Sequence, residues 1–233
     1  MITWNGVSSD DVGVRVEHYP NINLPVRKQS FVDVPGRNGA ILIIDESFQN
    51  VEMTYDIYIR ESANMLQAER AVAAWLFQTG YCQLQDSYDP GITRLAAYTG
   101  GQEVISALNR MGRATITFSA MPQRYITTQL SGRVFSERGV ILNNPTQNTA
   151  RPIITVKPTA AGGSGEIQIG NARIELTDCN CVIDSERQQC YLGATNRNDT
   201  MSGEFPVLEP GDNYGAFSGA IEQLIIEPRC FYV

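Results

Sequence analysis

Four of the five cysteines, Cys179, Cys181, Cys190 and Cys230, fall in the last quarter of the chain, while Cys82 stands apart. Clustered thiols are the residues here with most capacity for metal chemistry, since zinc is held by converging thiolate and imidazole ligands. The spacing argues against it. On a strand, Cys179-x-Cys181 points two side chains the same way but separates them by about 7 Å, which suits core packing better than a shared metal. Buried free thiols are the favoured reading, with a metal site or a disulfide such as Cys181 to Cys190 as the alternatives. The sole histidine, His18, lies in a polar, proline-bounded loop far in sequence from every cysteine. A serine or cysteine triad would have to use it, and a surface residue is the simpler account. Three acidic pairs, Asp10-Asp11, Asp45-Glu46 and Asp184 with Glu186, sit at turns or strand ends. A glycosidase needs two carboxylates about 5 to 9 Å apart across a cleft, and closeness in sequence does not supply that. No GxxxxGK[ST] or GxGxxG run is present. Gly162, Gly163 and Gly165 lack the lysine and following helix of a phosphate loop. No catalytic, cofactor-binding or metal-binding residue is therefore expected, and the chain does not read as an enzyme.

One further chemistry is open. Tyr191, Asn196, Asn198, Asn213 and Tyr214 occupy loops near the C-terminus. An aromatic ring that stacks and amides that pair with hydroxyls would suit a sugar. Ordinary loop composition gives the same residues and is the favoured account.

The elements that would have to position any site are mostly strands. Val51, Met53, Tyr55, Ile57 and Ile59 alternate with Glu52, Thr54, Asp56 and Tyr58, and strict period two over nine residues predicts a half-buried strand. Before it, Gly36 to Gly39 marks a tight turn, Ala40 to Ile44 an apolar run, and Asp45-Glu46-Ser47 a polar turn. The two runs read as an antiparallel hairpin or as neighbours in one sheet. Pro20 and Pro25 make Tyr19 to Lys28 irregular or an edge. Gln29 to Val34 reads as a short strand. From Glu61 to Gln78 the period changes to that of a helix, with Leu66, Glu69, Val72, Ala73 and Leu76 on one side, Met65 and Trp75 at the margins, Ser62 as cap and Gly80 past the end. Gly100-Gly101 should break a strand beginning at Arg94. A second clean alternation puts Ala114, Ile116, Phe118 and Ala120 on one face. From Asn143-Asn144-Pro145 onward the chain reads as seven or eight short strands with glycine and proline turns, which implies a β-sandwich.

These elements give a mainly β protein. Residues 1–142 form an N-terminal α+β domain, an antiparallel sheet or split barrel with one packed helix, and residues 143–233 form the sandwich. With 42% hydrophobic residues, a core needs neither metals nor disulfides. The net charge of −7 argues against nucleic acid as the main partner, because phosphates must be neutralised. The basic residues are biased to 16 arginines against two lysines, Lys28 and Lys157. Arginine favours fixed pairs at interfaces, and genomic base composition gives the same bias. The N-terminus MITWNGVSSDD has no signal-peptide pattern, and no apolar stretch approaches the roughly 20 residues of a membrane helix. Synthesis in the cytoplasm with mostly reduced thiols is expected.

Taken together in order, three groups of residues resemble the distal tail protein family of siphophages. The first is PGRNGAILI, Pro35 to Ile43, with VEMTYDIYI, Val51 to Ile59. The second is AAWLFQTGYCQLQDSYDPG, Ala73 to Gly91. The third is NNPTQNTARPIITV, Asn143 to Val156, CVIDSERQQCY, Cys181 to Tyr191, and FPVLEPGDNYG, Phe205 to Gly215. The resemblance implies a structural protein whose N-terminal domain closes a homo-hexameric ring through its sheet, helix and projecting β elements. It implies a galectin-like C-terminal sandwich facing outward, with the last strand, within Ile221 to Val233, able to pack back on the N-terminal domain. The implied partners are further copies of itself, the tail tube protein, the tape measure protein, and a tail-associated lysin, fibre or receptor-binding protein, with no membrane and no sequence-specific nucleic acid. The implied place is the virion tail tip, after assembly in the host bacterial cytoplasm. A carbohydrate-binding module of a tail adhesion device, or another tail tube or tip component, is the alternative.

Overall fold

The computed structural model describes residues 1–18, 20–59, 65–101, 105–107 and 111–233. It is mainly β, and the chain divides into two compact units, Met1–Arg124 with Val233, and Tyr125–Tyr232. Among the described residues no helix is long and apolar enough to cross a membrane.

The first unit is organised by the alternation in Val51–Ile59. Its odd-numbered residues are all buried, while its even-numbered ones are exposed or half-buried, as the period-two pattern requires. This strand pairs antiparallel with Met111–Ile126 over nine consecutive positions, from Gly112↔Ile59 to Ala120↔Val51. The sheet continues through Ile92–Gly101, Cys82–Asp86, Ile2–Trp4 and Val7–Ser8 on one side and Val14–Val16 on the other. Phe118 lies at the centre of the apolar layer, with its ring centroid 4.7 Å from that of Trp4, 5.9 Å from Tyr98 and 6.1 Å from Tyr55. Tyr55 carries its hydroxyl to the edge of this layer, where it donates to Asp86 at 2.8 Å. Burial, and then the Asp86 charge, push its pKa upward. Asp86 also accepts the backbone N–H groups of Tyr88 and Asp89, so one carboxylate ties the DSYDPG turn to the core.

Helix Met65–Leu76 covers this layer with Val72, Trp75 and Leu76, and Ala68 packs beside them. The buried stripe is therefore turned toward Trp75, whose indole N–H donates to the Val7 carbonyl at 3.2 Å. Leu66, expected on the buried face, is 57% exposed. The large indole takes the central position, and the helix rotates to admit it. The expected cap, Ser62, lies outside the described residues. The strand expected to break at Gly100-Gly101 ends at Gly101, the last described residue before 105. Both glycines are its last two residues, with Gly100 at φ 132°, a conformation open to glycine.

The apolar run before the long strand also departs from expectation. Ile41–Phe48 pairs with Arg27–Val32, not with Val51–Ile59, and Asp45-Glu46-Ser47 is strand rather than turn. The glycine turn at Gly36 to Gly39 is the tip of that separate hairpin, with both glycines at φ 82°.

The second unit is a β-sandwich. One sheet orders Arg133–Phe135, Ile221–Glu227, Ile153–Pro158, Cys181–Asp184, Gln189–Leu192 and Thr195–Asn196. The other orders Gly139–Asn144, Gly211–Gly219, Gly165–Ile169, Ala172–Leu176 and Met201–Gly203. Inward residues of both, including Ile154, Val156, Ile167, Ile174, Ile183 and Phe217, form one apolar core. Cys179, Cys181, Cys190 and Cys230 belong to it, and all five cysteines are free. The Cys181 thiol is hydrogen-bonded to Cys190, and that hydrogen bond together with burial raises its pKa. Burial pushes the Cys230 thiol up to about 11.

Two outcomes follow from this packing. Phe118→Ala empties the centre of the first core and is expected to cost about 3–5 kcal/mol of stability, read from the denaturant midpoint at unchanged slope. In a native thiol titration with an aromatic disulfide reagent at pH 8, only half-buried Cys82 should react quickly. The remaining four thiols should require denaturant, because all four are buried in the core out of reach of the reagent.

Candidate assembly surface

The residues that suggested catalysis are placed as structural or solvated groups. The His18 side chain is 78% exposed, with Glu17 4.0 Å away. Asp184 is buried, but its carboxylate accepts the backbone N–H groups of Glu186 and Arg187, which is the work of a turn. Glu186 pairs instead with Arg229 at 2.9 Å, and the Arg229 guanidinium lies over the Tyr125 ring. Asp10 meets Arg15 at 3.9 Å, and Asp45 accepts the N–H of Ser47. Among the described residues no cluster of three metal-ligating side chains occurs.

What the first unit presents instead is apolar surface. In the hairpin, Phe31 faces Leu42, Val32 faces Ile41, Ser30 faces Ile43 and Gln29 faces Ile44. Successive strand residues point to opposite faces, so Phe31 with Leu42 lies on one face, and Val32 with Ile41 on the other. Both faces are apolar and both are open: Phe31 is 67% exposed and Ile43 53%. Leu24, Val26 and Val34 extend the exposed surface along the flanks of the hairpin. A run of four consecutive apolar residues, Ile41 to Ile44, normally marks a strand covered on both sides. Here, among the described residues, no other strand joins the pair, which forms its own two-stranded sheet. An isolated two-stranded hairpin is marginal in water, and an apolar surface of this kind marks a site of association. The register still holds: Arg27 sits over the Phe48 ring, 4.9 Å from its centroid, at the base.

Sequence reasoning found the residues of this surface but paired the run with Val51 to Ile59, as a hairpin or as neighbours in one sheet. The missed signal is that the run Ile41 to Ile44 lacks alternation while the strand after it alternates strictly. Two strands of one half-exposed sheet would share a pattern.

Residues 15–120 match the model of the phage tail protein RIFT-related domain. That segment is thus similar to a phage tail domain. The matched segment contains the hairpin, the long strand and the helix, and with them two of the residue groups on which the resemblance to distal tail proteins was based. No curated protein sequence matches the chain. Among solved structures, the chain is similar to the SPP1 Dit (gp 19.1) protein, described as a paradigm of the hub adsorption apparatus in phages that infect Gram-positive bacteria. The TM-score is 0.66 at 12% identity, covering 97% of this chain and 96% of that one. The tail domain thus sits in a chain whose whole length shares the fold of a siphophage hub protein.

Because the hairpin residues touch little else, charging them should leave folding intact. Phe31→Asp with Ile43→Asp is expected to change stability by no more than about 0.5 kcal/mol. The same variant should bind markedly less of a hydrophobic fluorescent dye than the parent chain.

Proposed function

We propose that this protein is a structural hub of a siphophage tail, a distal tail component whose copies close into a hexameric ring at the tail tip. The observation that carries the reading is the apolar hairpin, exposed on both faces and joined by no further strand among the described residues. The match to the tail domain model and the fold shared with SPP1 Dit support it. In the ring, each hairpin lies against the next copy, and the N-terminal domain supplies the closed annulus. One side of the ring meets the tail tube, and the other seats a baseplate, fibre or receptor-binding protein. The central opening passes the tape measure and the DNA. The role is mechanical and uses no cofactor.

A ring needs two different faces on each subunit, since a self-complementary patch closes a dimer. The hairpin is one. The other is the outward side of the helix and its end, where Leu66 is exposed and Phe77, 73% exposed, stands edge-on to Tyr98. Apolar surface there matches the apolar hairpin in kind.

Light scattering behind a sizing column, run over a concentration series, tests the ring. The expected species has about six times the 25.7 kDa chain mass. Phe77→Asp and the doubly charged hairpin variant should each shift it to monomer. A dimer that persists in both variants would refute the hairpin as the ring contact.

A further inference from the structure

We infer that Asn38, at the tip of the exposed hairpin, is a self-modification site at which the side-chain amide is lost and aspartate and isoaspartate replace it. The chain holds two Asn-Gly pairs, Asn5-Gly6 and Asn38-Gly39. Such a pair carries its own reaction. The glycine backbone nitrogen attacks the carbonyl carbon of the asparagine side chain. A new C–N bond closes a five-membered succinimide, the bond from that carbon to the amide nitrogen breaks, and the proton from the glycine nitrogen leaves with the amide as ammonia. The ring then takes up one water. Opening at one carbonyl gives aspartate, and opening at the other gives isoaspartate, whose main chain runs through the former side chain. Water enters, ammonia leaves, and no oxidant, reductant or enzyme is needed. Glycine favours the attack because it has no Cβ to crowd its nitrogen.

The two pairs read alike in sequence, and the structure separates them. Asn5 and Gly6 are the whole connection between Ile2–Trp4 and Val7–Ser8, whose facing residues Trp4 and Val7 are directly paired. Both take positive φ, 48° and 80°, as a two-residue hairpin turn requires. The Asn5 N–H donates to the Gln83 carbonyl at 2.9 Å, and its side-chain amide donates to Gln78 Oε1 at 3.2 Å. Gln78 is itself fastened to the carbonyls of Ala74 and Trp75 at the end of the helix. Attack needs the side-chain carbonyl folded over the following nitrogen. At Asn5 both the backbone and the amide are held in another arrangement.

Asn38 is under none of these constraints. The hairpin strands are paired as far as Val32↔Ile41, which leaves residues 33–40 as the connection. Asn38 and Gly39 are both exposed, and a Cβ added at Gly39 would meet nothing within 4 Å. The Arg37 N–H donates to the Val34 carbonyl at 3.2 Å, but among the described residues neither the Asn38 amide nor the Gly39 N–H has a hydrogen-bond partner. The attacking and the attacked groups are therefore both open to solvent and to each other.

The place of the product gives it a consequence. Aspartate at position 38 is ionised at neutral pH, at the end of a hairpin that is otherwise apolar. Isoaspartate also adds one carbon to the main chain at the connection that sets the strand register. In the proposed ring this hairpin is the contact, so a subunit left unassembled would age at its own assembly surface. That consequence rests on the ring reading, while the modification does not.

The full chain is incubated in mildly alkaline buffer beside the same chain unfolded in urea. Aspartate and isoaspartate at each position are followed by peptide mapping and by isoaspartyl methyltransferase labelling. In the native chain position 38 should convert at least about tenfold faster than position 5, while in urea the two should agree within about threefold. Asn38→Gln, whose side chain would have to close a six-membered ring, should remove nearly all labelling of the native chain at unchanged melting temperature. The inference is overturned if native Asn38 converts no faster than native Asn5, if folding slows Asn38 by more than about tenfold relative to urea, or if labelling persists in Asn38→Gln. The modified chain, separated by ion exchange, is sized beside the fresh chain and should shift toward monomer. Unchanged sizing would overturn the consequence for assembly and leave the modification site standing.

Discussion

Nine consecutive cross-strand pairs join Val51–Ile59 to Met111–Ile126, and the rest of the first unit depends on that register. A slip of one residue would turn Met53, Tyr55 and Ile57 to solvent and bury Glu52, Thr54 and Asp56. It would also separate Tyr55 from Phe118 and so dismantle the aromatic centre. With the register set, one apolar face exists, and the helix has a single place to lay Val72, Trp75 and Leu76. The Tyr55–Asp86 bond then locates the turn after Cys82–Asp86 relative to the core.

The hairpin contrasts with this. Its own register is well defined, yet its apolar residues take no part in the core. Burying the alternating strand so completely while leaving Phe31 and Ile41 to Ile44 open suits the proposed ring. The cores stabilise the units, and the hairpin stores apolar surface for association. The free energy of covering it, about 25 cal/mol per Å2 removed from water, becomes available only when another surface arrives. In the proposed ring, this division has the subunit fold first and assemble later.

The second unit shows how polar side chains can stiffen a sandwich without reacting. Buried Asn144 donates to the carbonyls of Asn148 and Leu208 and accepts from Thr146, and Asn213 does comparable work at the turn before its strand. The core thiols of Cys179, Cys181, Cys190 and Cys230 serve as small apolar fillers. Gly203, at φ 110°, brings its strand so close that an added Cβ would fall 2.0 Å from the Arg173 carbonyl oxygen. Such close approach is a wholly structural role that only glycine can fill.

Local pattern by itself determined the buried faces of Val51–Ile59 and of Ile116 to Ala120, the single helix, the strand-rich second half and the core role of the cysteines. In each case the signal is periodicity or spacing, which one segment carries alone. Tertiary structure decided the remainder. Which strand pairs with Ile41–Phe48 depends on a partner, Arg27–Val32, that the local run cannot specify. The rotation of the helix depends on where Trp75 finds space and a hydrogen-bond acceptor, so Leu66 is exposed despite its helical position. Whether four apolar residues in a row are core or surface depends on what lies beside them in space.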